Sequence, residues 1–351
     1  MSSAAVRFRH RERRGRFVVL ACCVLAILAA VAGIVNGPLA ISFGEMWAAL
    51  TGLGEISPVK QGVVRNIRAP RVVLGLTAGA ALGAAGTTMQ GFFRNPLADP
   101  GLIGVSAGGA FAAVFIIVVG DTVFGPSVLG SFTLPLAAFV GALAVVLLIY
   151  QVSVQDGRVI VATMLLAGVA ANSLVASGIG FLTFLADDNQ LRDLTFWTLG
   201  SLGGATWTRV LPAAGLMVVS TVLLMRLGRP LNALLFGEQD ASAMGVNVES
   251  TKRRAAILTA MGVGAATAVC GIVGFVGLVV PHVVRLVTGP DHRFVLPGSA
   301  FLGAALILLS DLVARLVAAP AELPLGVVTA AIGAPFFFWL LMRDKARGSL
   351  G

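Results

Sequence analysis

Apolar blocks recur along the whole chain, each long enough to form one membrane-crossing helix of about 20 residues. They begin near Phe17, Arg71, Gly101, Gly130, Val159, Thr208 and Arg253, with further apolar blocks after Phe294. Only 12% of the residues are charged, against roughly a quarter in soluble proteins. The sequence therefore predicts an integral membrane protein.

The apolar blocks favour a helical bundle over a β-barrel. Barrel strands of about 10 residues with alternating polarity are absent from the sequence. Inside lipid every backbone polar group needs a partner within the protein, and continuous helices provide one. No long polar segment interrupts the chain. The predicted fold class is an all-α polytopic membrane protein with a single membrane domain, and the first apolar block is expected to stay as an uncleaved helix.

The distribution of Lys and Arg indicates the orientation of the chain. Six arginines lie within residues 7–16, five Lys or Arg lie within 226–254, and three more lie within 343–347. Cytoplasmic segments are enriched in Lys and Arg. We therefore predict a cytoplasmic tail at 1–16, a membrane domain at 17–342 that includes a cytoplasmic loop at 227–251, and a cytoplasmic tail at 343–351.

The apolar stretch 253–288 is too long for one crossing. As a single helix it would be roughly 54 Å long, whereas the bilayer core is about 30 Å thick. Arg285, His292 and Arg293 indicate a cytoplasmic loop after it, and the glycine-rich CGIVGFVG at 270–277 offers a turn. Both termini are then cytoplasmic, and ten helices are predicted at approximately 17–36, 71–91, 101–119, 129–151, 159–184, 208–226, 253–271, 274–288, 296–317 and 325–342.

The segment RNPLADPG at 94–101 interrupts the apolar pattern between the second and third predicted helices. Pro96 and Pro100 stop regular helix, and Asn95 and Asp99 can cap the restart. Irregular backbone at membrane depth lies against protein or lines a cavity. Two interpretations therefore fit this segment: a tight capped loop, or a constriction in a transport path.

Six longer segments between roughly residue 65 and residue 343 combine glycine with apolar runs, and most of them also hold proline or charged residues. They are IRAPRVVLGLTAGAALGAAGTTMQGFFRNPLADPGLIGVSAGGA (67–110), LLAGVAANSL (165–174), FWTLGSLGG (196–204), LNALLFGEQDASAMGVNV (231–248), GIVGFVGLVVPHVVRLVTGPDHR (271–293) and DLVARLVAAPAELPLGVVTAAIGAPFFFWLL (311–341). In order and spacing these segments resemble the signature of the FecCD family, the permease subunits of ABC importers for ferric siderophores, haem and vitamin B12. The resemblance implies the type II ABC importer permease fold, with ten helices and both termini cytoplasmic.

The resemblance implies a transport subunit in the cytoplasmic (inner) membrane and not an enzyme. The implied partners are a second permease subunit, identical or related, two cytoplasmic ATPase subunits and an extracytoplasmic binding protein, with no nucleic acid and no cofactor. The sequence holds no GxxxxGK[ST] phosphate-binding loop, so an ATPase chain or an ion gradient must supply the energy. A gradient-driven carrier is the alternative, but embedded ionisable residues are few: Asp311 and Arg315, four apart on one helix, can neutralise each other.

The implied cargo is a ferric siderophore, because siderophores are the commonest substrates of the family, with haem and cobalamin as alternatives. The sequence offers no arrangement of His or Tyr residues that is suited to bind haem. His282 lies next to Pro281, His292 lies in a predicted loop, His10 lies in the N-terminal tail, and Tyr150 is the only tyrosine. The cargo is expected to pass without ligation by the protein, so no metal site is predicted.

The loop between the sixth and seventh predicted helices has the features of a docking element. Gly237 can cap a short helix whose first turn carries Glu238 and Asp240, and Ala241 and Met244 fall on one face. The alternative is a surface helix that folds back on its own bundle. The family resemblance favours contact with the ATPase, which the coupling residues are predicted to make: Leu231, Asn232, Gly237, Glu238, Ala241, Met244 and Gly245.

Two further groups of residues complete the predicted site. Arg68, Arg71 and Arg315 match family arginines that receive acidic residues of the binding protein, and anchoring to lipid headgroups is the alternative. Pro70 stiffens the turn between the first two. Asn172 either lines the path or bonds across helices. The predicted path and gate residues are Gln90, Asn95, Pro96, Leu97, Asn172 and Ser173.

Overall fold

The computed structural model describes residues 3–124, 130–319 and 321–346, and these are almost entirely helical. The helices are α1 (Ser3–Val35), α2 (Phe43–Thr51), α3 (Pro58–Val63), α4 (Ala69–Phe92), α5 (Val105–Phe124), α6 (Thr133–Ser153), α7 (Val161–Leu185), α8 (Asp188–Leu199), α9 (Trp207–Met225), α10 (Gly228–Leu234), α11 (Glu238–Ala243), α12 (Val248–Cys270), α13 (Val276–Thr288), α14 (His292–Val317) and α15 (Leu325–Ala346). A π-helical turn, Val64–Arg68, joins α3 to α4, and 3-10 turns lie at Pro100–Ile103 and Gly130–Phe132. Two short antiparallel strands, β1 (Val154–Gln155) and β2 (Arg158–Val159), pair Val154 with Val159.

Helices form at all ten predicted positions, which confirms the all-α fold class. Among the described residues, six segments are long and apolar enough to cross a membrane: 10–35, 58–92, 133–153, 161–185, 207–225 and 292–317. Helices α5, α13 and α15 contain shorter apolar stretches, and α12 begins with several charged residues. The count of ten crossings and the cytoplasmic location of both termini stay predictions.

Several boundaries differ from the sequence prediction. Helix α1 begins at Ser3, so residues 3–16 of the predicted tail continue the first helix. The prediction did not include α2, α3, α8 and α10, which connect the longer helices. Helices α2, α3 and α8 each begin with a Ser or Asp cap, and all four helices are too short to stand out in a search for membrane-length apolar blocks. Most of the predicted C-terminal tail, residues 347–351, lies outside the described residues.

The predicted break within 253–288 is confirmed. Helix α12 ends at Cys270 and α13 begins at Val276. Gly271 has φ +71°, and a Cβ at this glycine would collide with the Trp197 carbonyl, so no other residue suits this turn. Phe275, the residue before α13, is also left-handed, with φ +68°.

Helix α4 is the centre of the bundle and is buried along most of its length. It packs most extensively against α14 and also contacts α9, α12 and α13. A Cβ at Gly79 would collide with the Gly303 carbonyl, and one at Gly83 would collide with the Ser299 carbonyl. Close approach of backbones through small residues is how helices associate in lipid, where the hydrophobic effect does not drive them together. The same rigid helix connects the two ends of the molecule that carry the predicted docking residues.

Candidate functional site

The three predicted docking arginines lie together where α4 begins and α14 ends. Arg71 donates from Nε and Nη2 to Asp311 Oδ1 over 2.9 and 2.8 Å. It also donates from Nη1 and Nη2 to the two carboxylate oxygens of Glu322, over 2.9 and 2.8 Å. Arg315 Nε lies 3.1 Å from Asp311 Oδ2, which confirms the predicted ion pair of these two residues. We call Arg68, Arg71, Asp311, Arg315 and Glu322 the arginine cluster.

Arg68 is held by backbone carbonyls. Its Nη1 donates to Ile34 over 2.6 Å and to Val35 over 3.0 Å, and its Nη2 donates to Leu39 over 2.6 Å. The last carbonyls of a helix have no partner within the helix, and Arg68 supplies donors to them at the end of α1. Arg68 therefore fixes the end of α1 against the start of α4.

Arg315 makes a similar connection from α14. Its Nη1 donates to the Asn36 carbonyl over 3.3 Å, and its Nη2 donates to the Gly33 carbonyl over 3.2 Å. The arginine cluster thus joins α1, α4, α14 and the connection that follows α14. Buried charges are tolerated only when such partners are present.

The burial of these arginines differs from the exposed docking surface that the sequence suggested. Arg68, Arg71 and Arg315 are only 4%, 7% and 7% exposed, and each is engaged within the chain. Glu322, whose side chain is 42% exposed, is the member of the cluster that solvent reaches most easily. The Arg71 hydrogen bonds hold the pKa of Glu322 below its ordinary value. Docking by these arginines stays a prediction, and the geometry requires a partner's carboxylate to replace Glu322.

The predicted path residues near the other end of α4 are in part structural. Gln90 is 2% exposed. Its Nε2 donates to the Leu278 carbonyl over 3.2 Å, and its Oε1 accepts from Arg285 Nη1 over 2.8 Å. Gln90 therefore ties α4 to α13 and does not face an open channel within this chain. Sequence reasoning did not include Arg285 in the site, although it is one of few cations in the apolar blocks.

The RNPLADPG segment forms a capped turn, as the residue types predicted. Asn95 Oδ1 accepts from the Leu97 amide over 2.9 Å, and Asp99 Oδ1 accepts from the Gly101 amide over 2.7 Å. Asn95, Pro96 and Leu97 are exposed. The capped-loop interpretation is confirmed, and a constriction role for the exposed residues stays a prediction.

Asn172 makes the cross-helix bond that was one of its two predicted roles. Its Nδ2 donates to the Gly101 carbonyl over 3.3 Å, which joins α7 to the turn before α5. Its buried Oδ1 finds no hydrogen-bond partner among the residues described. Ser173 is exposed, and its hydroxyl donates to the Val169 carbonyl of its own helix over 3.0 Å.

The predicted short helix in the loop after α9 is confirmed as α11. Gly237, with φ +117°, precedes it, and Glu238 and Asp240 lie in its first turn. Gly245, with φ +83°, follows it. We call residues 231–248 the coupling segment. A φ in this range disfavours any side chain, so the two glycines set where the helix begins and ends.

The predicted docking face of α11 needs correction. Ala241 is fully buried, whereas Met244 is 59% exposed, so the two residues do not form one exposed face. Leu231 is also fully buried. The exposed apolar residues that sequence reasoning missed are Leu235 and Phe236, the latter 70% exposed. Their place just before the capping glycine is the signal that could have identified them.

The polar residues of the coupling segment bind their own bundle. Asn232 Nδ2 donates to Asp291 Oδ1 over 2.7 Å, and its Oδ1 accepts from the His292 amide over 2.8 Å. Burial raises the pKa of Asp291, but hydrogen bonds from Arg293 and Asn232 outweigh it, and the pKa lies below its ordinary value. Glu238 pairs with Lys252 Nζ over 2.8 Å, a contact that sequence reasoning did not anticipate.

Comparison with known proteins places these features in a family. The sequence profile of the FecCD transport family matches residues 23–343. The hemin transport system permease protein HmuU of Yersinia pestis is 41% identical over 326 residues, which are 93% of this chain and 95% of that protein. The cobalamin import system permease protein BtuC of Halobacterium salinarum is 43% identical over 312 residues, 87% of this chain and 81% of that protein.

A solved structure has the same fold. It is a metal-chelate type ABC transporter in an inward-facing conformation, and it superposes with a TM-score of 0.82 at 29% sequence identity. The similarity covers 93% of this chain and 99% of that chain.

Proposed function

Because the chain belongs to the FecCD transport family, we propose that it forms the path by which an ABC importer brings a metal chelate across the cytoplasmic membrane. Members of the family are permease subunits of ABC importers and not enzymes, and ATP is hydrolysed on a partner chain. The observation that carries the proposal is the family match over residues 23–343. It implies ATPase partners, a binding protein and a dimeric arrangement of permeases.

The cargo is the finer part of the proposal. The family resemblance favours a ferric siderophore, because siderophores are the commonest substrates of the family. The relatives named for hemin and cobalamin transport support the two alternatives. All three are large chelates that already hold their metal, so the permease needs a wide path and no metal ligands of its own. We retain the ferric siderophore as the first candidate and test haem and cobalamin beside it.

The second permease subunit needs an exposed helical surface. Helix α7 offers one, since Met164, Gly168 and Leu182 are its only residues buried within the described part of this chain. Leu166, Leu174 and Phe184 protrude from it. The same helix carries Asn172 and Ser173, the path candidates. A path between two permeases would place α7 at or near its wall.

Docking of the binding protein is proposed at the arginine cluster. Arginine suits such contacts because its planar fork binds a carboxylate through two hydrogen bonds. In this chain Glu322 already occupies one side of the Arg71 fork. We infer that an acidic residue of the binding protein exchanges with Glu322, whose partial exposure leaves it free to move into solvent.

Uptake of labelled cargo by cells that express the whole transporter tests the function. Labelled ferric siderophore, haem and cobalamin are offered separately, and cells without the permease serve as the control. We expect ATP-dependent accumulation of one of the three. Uptake that survives loss of the partner ATPase would overturn the ABC mechanism and support a gradient-driven carrier.

A further inference from the structure

Lys252 is a buried cation that connects three parts of the chain. Its side chain is only 2% exposed. Nζ lies 2.8 Å from Glu238 Oε2, 2.9 Å from the Val159 carbonyl and 3.5 Å from Glu249 Oε1. An ammonium group has three donors and no acceptor, so these three oxygens supply one acceptor for each. Lys252 belongs to α12, Glu238 begins α11, and Val159 ends β2.

A second contact fastens the strand to α12. Glu249 Oε2 accepts from the Val159 amide over 2.9 Å. Both polar backbone groups of Val159 are therefore held by α12, one by Glu249 and one by Lys252. Loss of either partner would leave a polar group buried without a hydrogen bond, which is costly.

The connection leads from the coupling segment to the predicted path. Strand β2 ends at Val159, and α7 begins two residues later at Val161. Helix α7 carries Asn172, which bonds to the turn before α5. The chain of contacts runs from Glu238 through Lys252 and Val159 into α7. No flexible loop intervenes.

Among the described residues, the other connections from α11 to the bundle do not involve charged groups. Residues 244–247 lead from α11 into α12 and not into α7, and the buried Ala241 packs through a methyl group, which does not fix direction or register. The contact between Lys252 and Glu238 is directional, because the ammonium group is only 2% exposed and withdrawal of the carboxylate, itself 41% exposed, leaves a buried charge with one partner fewer. Movement of α11 with its Glu238 therefore pulls on Lys252 and, through it, on the start of α7.

We propose that Lys252 is a positioning residue that transmits movement of the coupling segment to α7. The inference rests on the proposed function, because the movement originates in a partner ATPase that contacts α11. Because Lys252 is only 2% exposed, we expect neither cargo nor ATPase to contact it. Its removal should uncouple ATP hydrolysis from transport and leave both partners bound.

The test replaces Lys252 by methionine, which keeps length and apolar volume but removes the charge. The neighbouring Arg253 is exposed, and Arg253→Met is the matched control that loses the same formal charge. Purified complexes of permease, ATPase and binding protein in liposomes are assayed for cargo taken up per ATP hydrolysed. We expect Lys252→Met to lower this ratio about fivefold or more, with basal ATPase and ATPase co-purification unchanged, and Arg253→Met to keep the wild-type ratio.

The ratio separates transmission from simple destabilisation, since loss of folded complex lowers uptake and hydrolysis together. An unchanged ratio in Lys252→Met overturns the proposal. Loss of ATPase co-purification also overturns it, because Lys252 would then serve docking. If Lys252→Met fails to insert, Lys252→Gln takes its place, because its amide can still donate to the Val159 carbonyl. ATP-dependent uptake by the wild-type complex tests the proposed function separately.

Discussion

The arginine cluster and the coupling segment lie at opposite ends of α4, and they handle charge in different ways. In the arginine cluster, all three guanidinium groups are buried and bound within the chain. In the coupling segment, Asn232 and Glu238 bind the bundle while Phe236 and Met244 protrude. A partner can add to the coupling segment without breaking any contact. At the arginine cluster a partner has to exchange with a contact that already exists.

Breaking the arginine cluster should give the largest effect on stability. Arg71→Ala leaves Asp311 with Arg315 alone and frees Glu322, and removal of one member of a buried ionic group costs about 3–5 kcal/mol. Thermal unfolding of the purified permease measures this loss. Arg192 is exposed, and Arg192→Ala is the control that should change nothing. Equal stability of the two variants would show that the cluster does not hold the fold.

Loss of an exposed apolar residue of the coupling segment should weaken binding of the ATPase without unfolding the permease. Phe236→Ser removes a 70% exposed ring, and a central apolar anchor contributes about 2 kcal/mol or more to an interface. We expect roughly a 30-fold loss of ATPase affinity, measured by co-purification and titration, with unchanged thermal stability. Trp47, 56% exposed at the other end of the molecule, provides the control Trp47→Ser. Unchanged ATPase affinity in Phe236→Ser would place the interface elsewhere.

The proposed exchange of carboxylates at the arginine cluster can be tested by removal of Glu322, which competes with the binding protein for Arg71. Glu322→Gln takes away the carboxylate that a binding protein would have to displace from Arg71 under the proposed docking, and a partly exposed ion pair contributes up to about 1 kcal/mol. Affinity for the binding protein should therefore rise about fivefold, measured on purified complex at low salt, where screening is weakest. Glu55→Gln, at an exposed position in the connection between α2 and α3, removes the same charge and should have no such effect. Weaker binding by Glu322→Gln would mean that the cluster only braces the helices.

The sequence predicted the helices well because lipid permits few alternatives to them. The length of the apolar stretch and its glycine content were sufficient to predict the break after Cys270, and residue types were sufficient to predict the caps at Asp99 and Gly237. Side-chain direction could not be read in this way. The engagement of Arg71 by Glu322 joins residues 251 positions apart, and the buried position of Ala241 depends on how α11 packs against α10 and α12. No local sequence pattern encodes either arrangement.

The pH dependence of the Glu322 contact should give the smallest effect. Hydrogen bonds from Arg71 lower the pKa of Glu322 in the folded chain, so the carboxylate stabilises the fold fully above its unfolded pKa of about 4.3. That stabilisation is lost as pH falls through the lower, folded pKa. Because the side chain is 42% exposed, its contribution should stay below about 1 kcal/mol. The difference in melting temperature between wild type and Glu322→Gln should therefore be constant from pH 8 to pH 6 and vanish in acid below the folded pKa. A difference that grows on acidification would assign the stabilisation to a group whose folded pKa is raised.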